Sequence, residues 1–517
     1  MGAPTSLADS LAAGFGAALL PLNLLLGLAG VTLGTAVGVL PGIGPALAIS
    51  MLLPLTFGLD PAGAFILFGG VYYGAMYGGS TTSILVRMPG EASSVMTARD
   101  GFRMTCRGRA GAALATAAIG SFIAGTFATA MLMTAAPALV EVALTFGPAE
   151  YCALMVLALT ALVGLGGPSP AKGAAAALIG LALGTIGIDV QTGQARFAFG
   201  AAGLLGGVDV VVVTVGLFAV GEVFWYAATR PRPSRRRASA RPAPPEAESA
   251  RIGGPVRLTR AEWRRSWPAW LRGTVVGFFC GVLPGAGATV ASFLAYDVER
   301  RCSRRPEEFG DGAIEGVAGP EAANNASAGG SLVPLLALGI PGSGTTAVML
   351  AAFQMYGLQP GPLLFTRDAT LVWGLIASLY VSNFLLLLLN LPLVRVWVQL
   401  LRVPRPLLFA AVLAFATLGV YSLDRSLVDV GAIYVLGLLA CVLRRHGVPA
   451  APIVLAVVLG PLLEQEFRRA MAISGGDPTV FVTRPVAAGL LGLAVLAAAA
   501  PRLAGAVERW WTRGTRG

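Results

Sequence analysis

Two stretches decide how this sequence folds: Gly38-Val-Leu-Pro-Gly-Ile-Gly44 and, in the other half of the chain, Gly281-Val-Leu-Pro-Gly-Ala-Gly287. Each places a Pro-Gly break inside an apolar run, where proline removes a backbone donor and glycine admits turns closed to other residues. A second pair follows in the same order. Gly78-Gly-Ser80 with Pro89-Gly90 returns as Gly329-Gly-Ser331 with Pro341-Gly342. Two motifs recurring in one order mark an internal duplication, with halves at 1–229 and 271–517. Between them, 230–270 is a linker rich in Arg, Pro, Ala and Ser. Its 230–266 stretch has too little apolar surface to pack and is expected to be extended.

Composition sets the solvent of those halves. Of 517 residues 56% are apolar and only 12% charged, whereas a soluble domain carries about 25% charged residues. So few charges cannot coat a soluble core, which excludes a soluble enzyme. Runs such as 110–140 and 379–394 are apolar, and about 20 apolar residues cross a bilayer. The expected fold is therefore an all-α polytopic membrane protein with roughly 10–12 membrane segments. The net charge of +11 does not indicate nucleic acid. Residues 230–272 hold 12 arginines against Glu246, Glu248 and Glu262, which leaves only +2 for the rest of the chain. A basic loop of this kind belongs in the cytoplasm.

Arginine placement also orients the halves. The loop after the first motif, 57–63, has no basic residue, whereas the one after the second carries Arg87, Arg99, Arg103, Arg107 and Arg109. In the second half the order swaps: Arg300, Arg301, Arg304 and Arg305 follow the first motif, and nothing basic follows the second until Arg367. Corresponding loops then lie on opposite faces, which predicts two inverted-topology repeats, an arrangement common in secondary transporters. Arg272 and Arg300 both belong inside, yet about 27 residues between them are too few for two crossings. The expectation is a pair of opposed re-entrant helical hairpins, turning at Pro41, Gly42 and Gly44 and at Pro284, Gly285 and Gly287. Irregular backbone at that depth is tolerated only against protein or a water-filled cavity, so the hairpins also predict a binding site. Further spans are expected near 110–136, 149–166, 171–188 and 201–229. The second half adds spans near 369–394, 406–421, 427–443, 449–463 and 485–500.

The substrate contacts are expected from polar turns beside these breaks. Ser80, Thr81, Thr82 and Ser83 place four hydroxyls in apolar surroundings, and Asn324, Asn325, Ser331, Ser343 and Thr345 are the candidates from the other half. Hydroxyls, amides and helix N-terminal N–H groups suit a carboxylate, while amide and carbonyl oxygens suit Na⁺. Small residues such as Gly78 and Gly329 equally suit close helix packing. Glu321 reads either as an intramembrane carboxylate for ion coupling or as a residue at the water interface. For Asp209 and Glu222, on an apolar helix, interface or inter-helix pairing is the favoured reading. No phosphate loop, His-Glu-x-x-His or Gly-x-Ser-x-Gly motif occurs, and Cys106, Cys152, Cys280, Cys302 and Cys441 show neither disulfide nor metal-ligand spacing. No catalytic residue, metal site or cofactor other than a coupling ion is expected.

Taken together, 38–44, 77–85, Pro89-Gly90-Glu91, 281–287, 321–326 and 338–346 resemble the large membrane subunit of the tripartite tricarboxylate transporter family, TctA. That resemblance implies a multi-pass permease of the bacterial inner membrane, importing a small carboxylate on a Na⁺ or H⁺ gradient. It further implies a small membrane subunit of the TctB type and a periplasmic solute-binding protein of the TctC type. Competing readings are a stand-alone secondary permease or channel and a membrane carboxylate sensor that does not transport.

Overall fold

The computed structural model describes residues 7–40, 44–165, 169–189, 192–200, 202–229, 256–400 and 404–514. Helices α1 (Leu7–Ala18) and α2 (Pro21–Val39) lead to the first break, and α3 (Pro45–Thr56) and α4 (Pro61–Val86) follow it. The first half continues with α5 (Val95–Cys106), α6 (Ala110–Ala143), α7 (Pro148–Leu165) and α8 (Pro170–Gly184). An antiparallel ribbon, β1 (Gly187–Ile188) with β2 (Ala195–Arg196), precedes α9 (Val210–Thr229), which is π-helical over Val215–Val220. The second half opens with α10 (Arg260–Val282), α11 (Gly287–Cys302), α12 (Glu315–Leu338) and α13 (Gly344–Met355). It closes with α14 (Pro362–Arg367), α15 (Ala369–Asn390), α16 (Val394–Gln399), α17 (Arg405–Asp424), α18 (Leu427–Arg445), α19 (Ala451–Ile473), α20 (Val480–Thr483) and α21 (Pro485–Gly514). Proline opens several of these helices, where its missing N–H leaves no bond unmade. The protein is an all-α polytopic membrane protein: among the described residues six helices are long and apolar enough to cross a bilayer, and shorter apolar helices lie between them.

Two glycine ladders hold the halves together internally. Lipid is as apolar as leucine, so helices in a bilayer associate by close packing, for which small residues are needed. On α2, a methyl group at Gly30, Gly34 or Gly38 would come within 2.4, 2.4 and 2.3 Å of the Leu67, Val71 and Ala75 carbonyl oxygens of α4. On α10, Gly273, Gly277 and Gly281 stand 2.3 Å, by the same measure, from the Gly319, Ala323 and Ser327 carbonyls of α12. The Pro-Gly segments close both ladders alike, Gly90 against the Gly38 carbonyl and Gly342 against that of Gly281. Contact by contact, Gly78 (against Thr35 and Gly38) corresponds to Gly330 (against Phe278 and Gly281), not to Gly329. The pairing by Gly-Gly-Ser likeness is thus one residue out, which on a helix is a rotation of about 100°. In the contact register Ser80 matches Leu332, Thr81 matches Val333 and Glu321 matches Gly69.

Three expected segments differ. The span expected over 201–229 becomes α-helical only at Val210, after a single 3₁₀ turn at Ala202–Leu204, because Gly207 turns the chain at φ 84° and Asp209 caps the helix, accepting from the Val211 N–H at 2.6 Å. The span expected to 188 stops at Gly184 and passes into the ribbon. Residues 260–266, expected to be extended, form the first turns of α10. Thr259 and Glu262 make a reciprocal cap there, and Arg109–Glu262 (2.9 Å) and Arg265–Glu315 (2.6 Å) pin the turns down. The rest of the basic linker, 230–255, lies outside the described residues.

Candidate functional site

All four Pro-Gly segments border one cavity of about 840 Å³, through Gly44, Gly90, Gly285 with Gly287, and Gly342. That volume is in the range of small-molecule sites. In the second half the turn is held open by glycine, with Gly285 at φ 83° and Gly287 at φ 58°. Gly285 donates its N–H to the Gly342 carbonyl at 3.1 Å, so the two motifs of that half form one surface. Pro41 and Gly42 of the first turn lie outside the described residues.

The cavity wall is built from helix beginnings. The N-terminal ends of α3, α11, α13 and α19 all border it, at Pro45, Gly287, Gly344 and Ala451. A helix start leaves backbone N–H groups without intrahelical partners and carries the positive end of the dipole. Four such ends around one space suit a carboxylate without placing a fixed charge in the bilayer. At α13 the start is prepared further: Ser343 and Thr346 cap one another, with the Ser343 N–H donating to Thr346 Oγ1 at 2.8 Å. Thr345 is two residues inside the cap and borders the cavity.

The other candidates do not reach this space. Ser80, Thr81, Thr82 and Ser83 lie within the unbroken helix α4, and Asn324, Asn325 and Ser331 within α12, so neither set forms the polar turn expected. Close backbone approach through Gly78 and Gly330 keeps both segments helical. Ser331 stands one layer behind the wall: the Tyr72 hydroxyl lies 3.1 Å from its Oγ and 3.4 Å from the Ser343 Oγ. Pro284 shapes the turn without lining the cavity.

What the two polar segments surround instead is Glu321. It has no exposed surface. Ser80 Oγ donates to its carboxylate at 2.5 Å, and Thr97 Oγ1 donates to the other oxygen. Asn325 donates to Ser121 Oγ at 2.7 Å and to the Glu321 backbone carbonyl at 3.1 Å. The Asn324 amide rests against the same carboxyl, yet its Oδ1 is buried with no hydrogen-bond partner. No basic side chain pairs with Glu321 among the described residues. A buried carboxylate held only by neutral donors needs a proton or a cation to balance it.

Sequence reasoning did not single out Tyr72, Glu91 or Arg444 as site residues, although all three line the cavity. In sequence Glu91 is only the last residue of the Pro89-Gly90-Glu91 motif. Its Oε1 is buried and unpartnered, while Ser93 donates to the other oxygen at 3.5 Å. Tyr72 carries no signal beyond lying in a glycine-rich helix. Asp209 serves as a helix cap, and Glu222 pairs with Arg444 of α18, the inter-helix role expected of it.

A family model described as the tripartite tricarboxylate transporter TctA family matches residues 24–455. An uncharacterized 52.8 kDa protein in the TAR-I ttuC' 3' region of Agrobacterium vitis is 48% identical over 492 residues, 94% of each chain. A protein in the TAR-II ttuC' 3' region of the same organism is 53% identical over 220 residues, 43% of this chain and 91% of its own. No solved structure matches.

Proposed function

The chain belongs to the tripartite tricarboxylate transporter TctA family, and from that premise we propose that it is the permease of an ion-gradient-driven carboxylate uptake system. As a family member it is a multi-pass membrane component of a transporter that works with other components. The finer reading adds a small membrane subunit of the TctB type, a periplasmic binding protein of the TctC type, and the bacterial inner membrane. One observation carries the substrate class: four helix N-termini drawn from both halves of the chain face one cavity large enough for a small polycarboxylate.

In this reading the substrate's carboxylates meet the starts of α3, α11 and α13, with Ser343 and Thr345 as side-chain donors. The coupling ion, Na⁺ or H⁺, neutralises Glu321 in its ring of Ser80, Thr97 and Asn324 oxygens. Glu91 supplies a second acidic group at the cavity itself. Matching glycine ladders and swapped arginine-rich loops support two inverted halves rocking against each other. Basic helix ends stay in the cytoplasm, which puts the Arg444-Arg445 end of α18 inside and turns the cavity mouth it borders inward.

Uptake of labelled citrate into vesicles, with and without an imposed ion gradient and the binding protein, tests the proposal. Accumulation that needs both supports it. Accumulation without the binding protein indicates a stand-alone permease, downhill equilibration alone a channel, and binding without accumulation a sensor.

A further inference from the structure

We propose that Arg444 is the side chain that meets one carboxylate of the substrate at the cavity mouth, and that Glu222 is its internal stand-in between substrates. The inference rests on the carboxylate reading above and adds a fixed positive charge to it. Of the described side chains that border the cavity, Glu91, Glu222 and Arg444 carry charge, and only Arg444 is basic. Helix N-termini offer partial charges, but the one full positive charge within reach of a ligand is this guanidinium.

Its geometry is that of a poised binding group. Arg444 lies at the end of α18, where the negative end of the helix dipole favours a cation. Its guanidinium carbon stands 4.8 Å from the centroid of the Trp225 ring, which holds the plane. One terminal nitrogen, Nη1, is engaged by Glu222. A guanidinium has five donors in a fork that matches a carboxylate, so a second carboxylate finds donors already oriented. The Arg444 side chain is about half exposed (48%), whereas that of Glu222 is largely covered (20%). A group in the cavity therefore reaches the cation before it reaches the acid.

The local backbone singles out the same place. Directly before Glu222, α9 is π-helical over Val215–Val220, and the Gly221 N–H reaches back five residues to the Gly216 carbonyl. Such insertions are frequent at functional sites, where the extra residue re-aims side chains. Here Phe218 borders the cavity beside the Gly344 start of α13, and Glu222 comes to Arg444 at its mouth. Exchanging Glu222 for a substrate carboxylate swaps one charge-assisted bond for another, so Arg444 is never left unpaired. Two kinds of recognition point on one cavity, the helix N-termini and Arg444, select a ligand with two or more carboxylates over a monocarboxylate.

The test is citrate uptake by the complete system carrying R444Q, R444K, E222Q or the charge swap R444E/E222R. Loss of a charge-assisted bond predicts a KM about 10- to 100-fold higher for R444Q, with R444K between it and the wild type. E222Q removes the competitor and lowers KM. The swap rebuilds the ion pair with its poles reversed, so folded protein is retained and uptake is lost. A wild-type KM in R444Q, restored uptake in the swap, or an E222Q defect equal to that of R444Q overturns the inference and makes the pair a structural tie. Wild-type protein that neither binds nor accumulates carboxylate overturns the carboxylate reading, and this inference with it.

Discussion

The ladder of α2 on α4 and the ladder of α10 on α12 are alike in backbone and unlike in chemistry. Both place three glycines four residues apart against facing carbonyls, and both end at a Pro-Gly segment folded back on the ladder. At matched positions the side chains diverge. The first has Ser80 and Thr81 where the second has Leu332 and Val333, and the second has Glu321 where the first has Gly69. Asn324 and Asn325 of the second answer Tyr72 and Tyr73 of the first. Backbone approach can be repeated because it depends only on the absence of a side chain. A buried carboxylate cannot, because a second copy would bury a second uncompensated charge. The two halves thus share a scaffold and divide the labour: Glu321 comes from one ladder, and Ser80, which donates to it, from the other.

If the ladders are equivalent, breaking either has the same consequence. A β-branched side chain at Gly34 or Gly277 would strike a backbone carbonyl that cannot move aside. G34V and G277V should each lower stability by about 3 kcal/mol or more, read as lost monodisperse protein and a lower unfolding temperature. A tolerated G277V beside a lethal G34V would break the comparison outright. Neighbouring glycines sharpen it: G78A should destabilise by about 1–3 kcal/mol. At Gly79 an added methyl group would meet nothing closer than Ser94 Oγ at 3.4 Å, so G79A should be neutral or slightly stabilising.

Chemistry is where the halves should differ. E321Q keeps the shape of the side chain and removes the charge that Ser80 and Thr97 both address. Two weakened charge-assisted bonds predict a loss of ion-dependent uptake of about a hundredfold, with folded protein retained. S80A should show part of that loss through the same carboxylate. An S80A protein with unaltered ion dependence would separate α4 from the Glu321 site and undo the division of labour.

The Pro-Gly breaks were legible in sequence because they are local patterns, whereas the glycine ladders that accompany them emerge only from the packing. The role of Glu321 was half legible, since its apolar neighbours announce burial but say nothing of Thr97, 224 residues away. The hydroxyls of 80–83 misled because a hydroxyl run reads as a turn, whereas the neighbouring glycine packing keeps α4 continuous. Arg444 and Glu222 come together across 222 residues of sequence, and an Arg-Arg pair at a helix end reads first as a topology signal. The one-residue register error had the same origin, because Gly-Gly-Ser likeness competes with contact register and only packing decides.

A smaller effect probes the seam between wall and ladder. The Tyr72 hydroxyl bridges Ser331 of α12 and Ser343 at the start of α13. Y72F removes that link and leaves the ring, which predicts a loss of about 1 kcal/mol, or about a fivefold rise in KM, with the maximal rate little changed. A fall in maximal rate at constant KM would instead make the bridge part of the moving hinge.

The smallest effect is expected at Thr81, and it sharpens the comparison most finely. Its matched position in the other half is already Val333, and its side chain borders only a void of about 10 Å³ shared with Ser80, Ser121 and Asn390. That is room for about one water-sized particle. T81V makes the first ladder resemble the second at this point while leaving Ser80 and Glu321 in place. If the hydroxyl serves only packing, uptake should change by less than about twofold, within the usual range for a swap that removes no made bond. A tenfold loss restricted to one coupling ion would show that the void holds that ion. The polar pocket would then extend from Glu321 and Ser80 to Thr81, and α4 would contribute more to it than Ser80 alone.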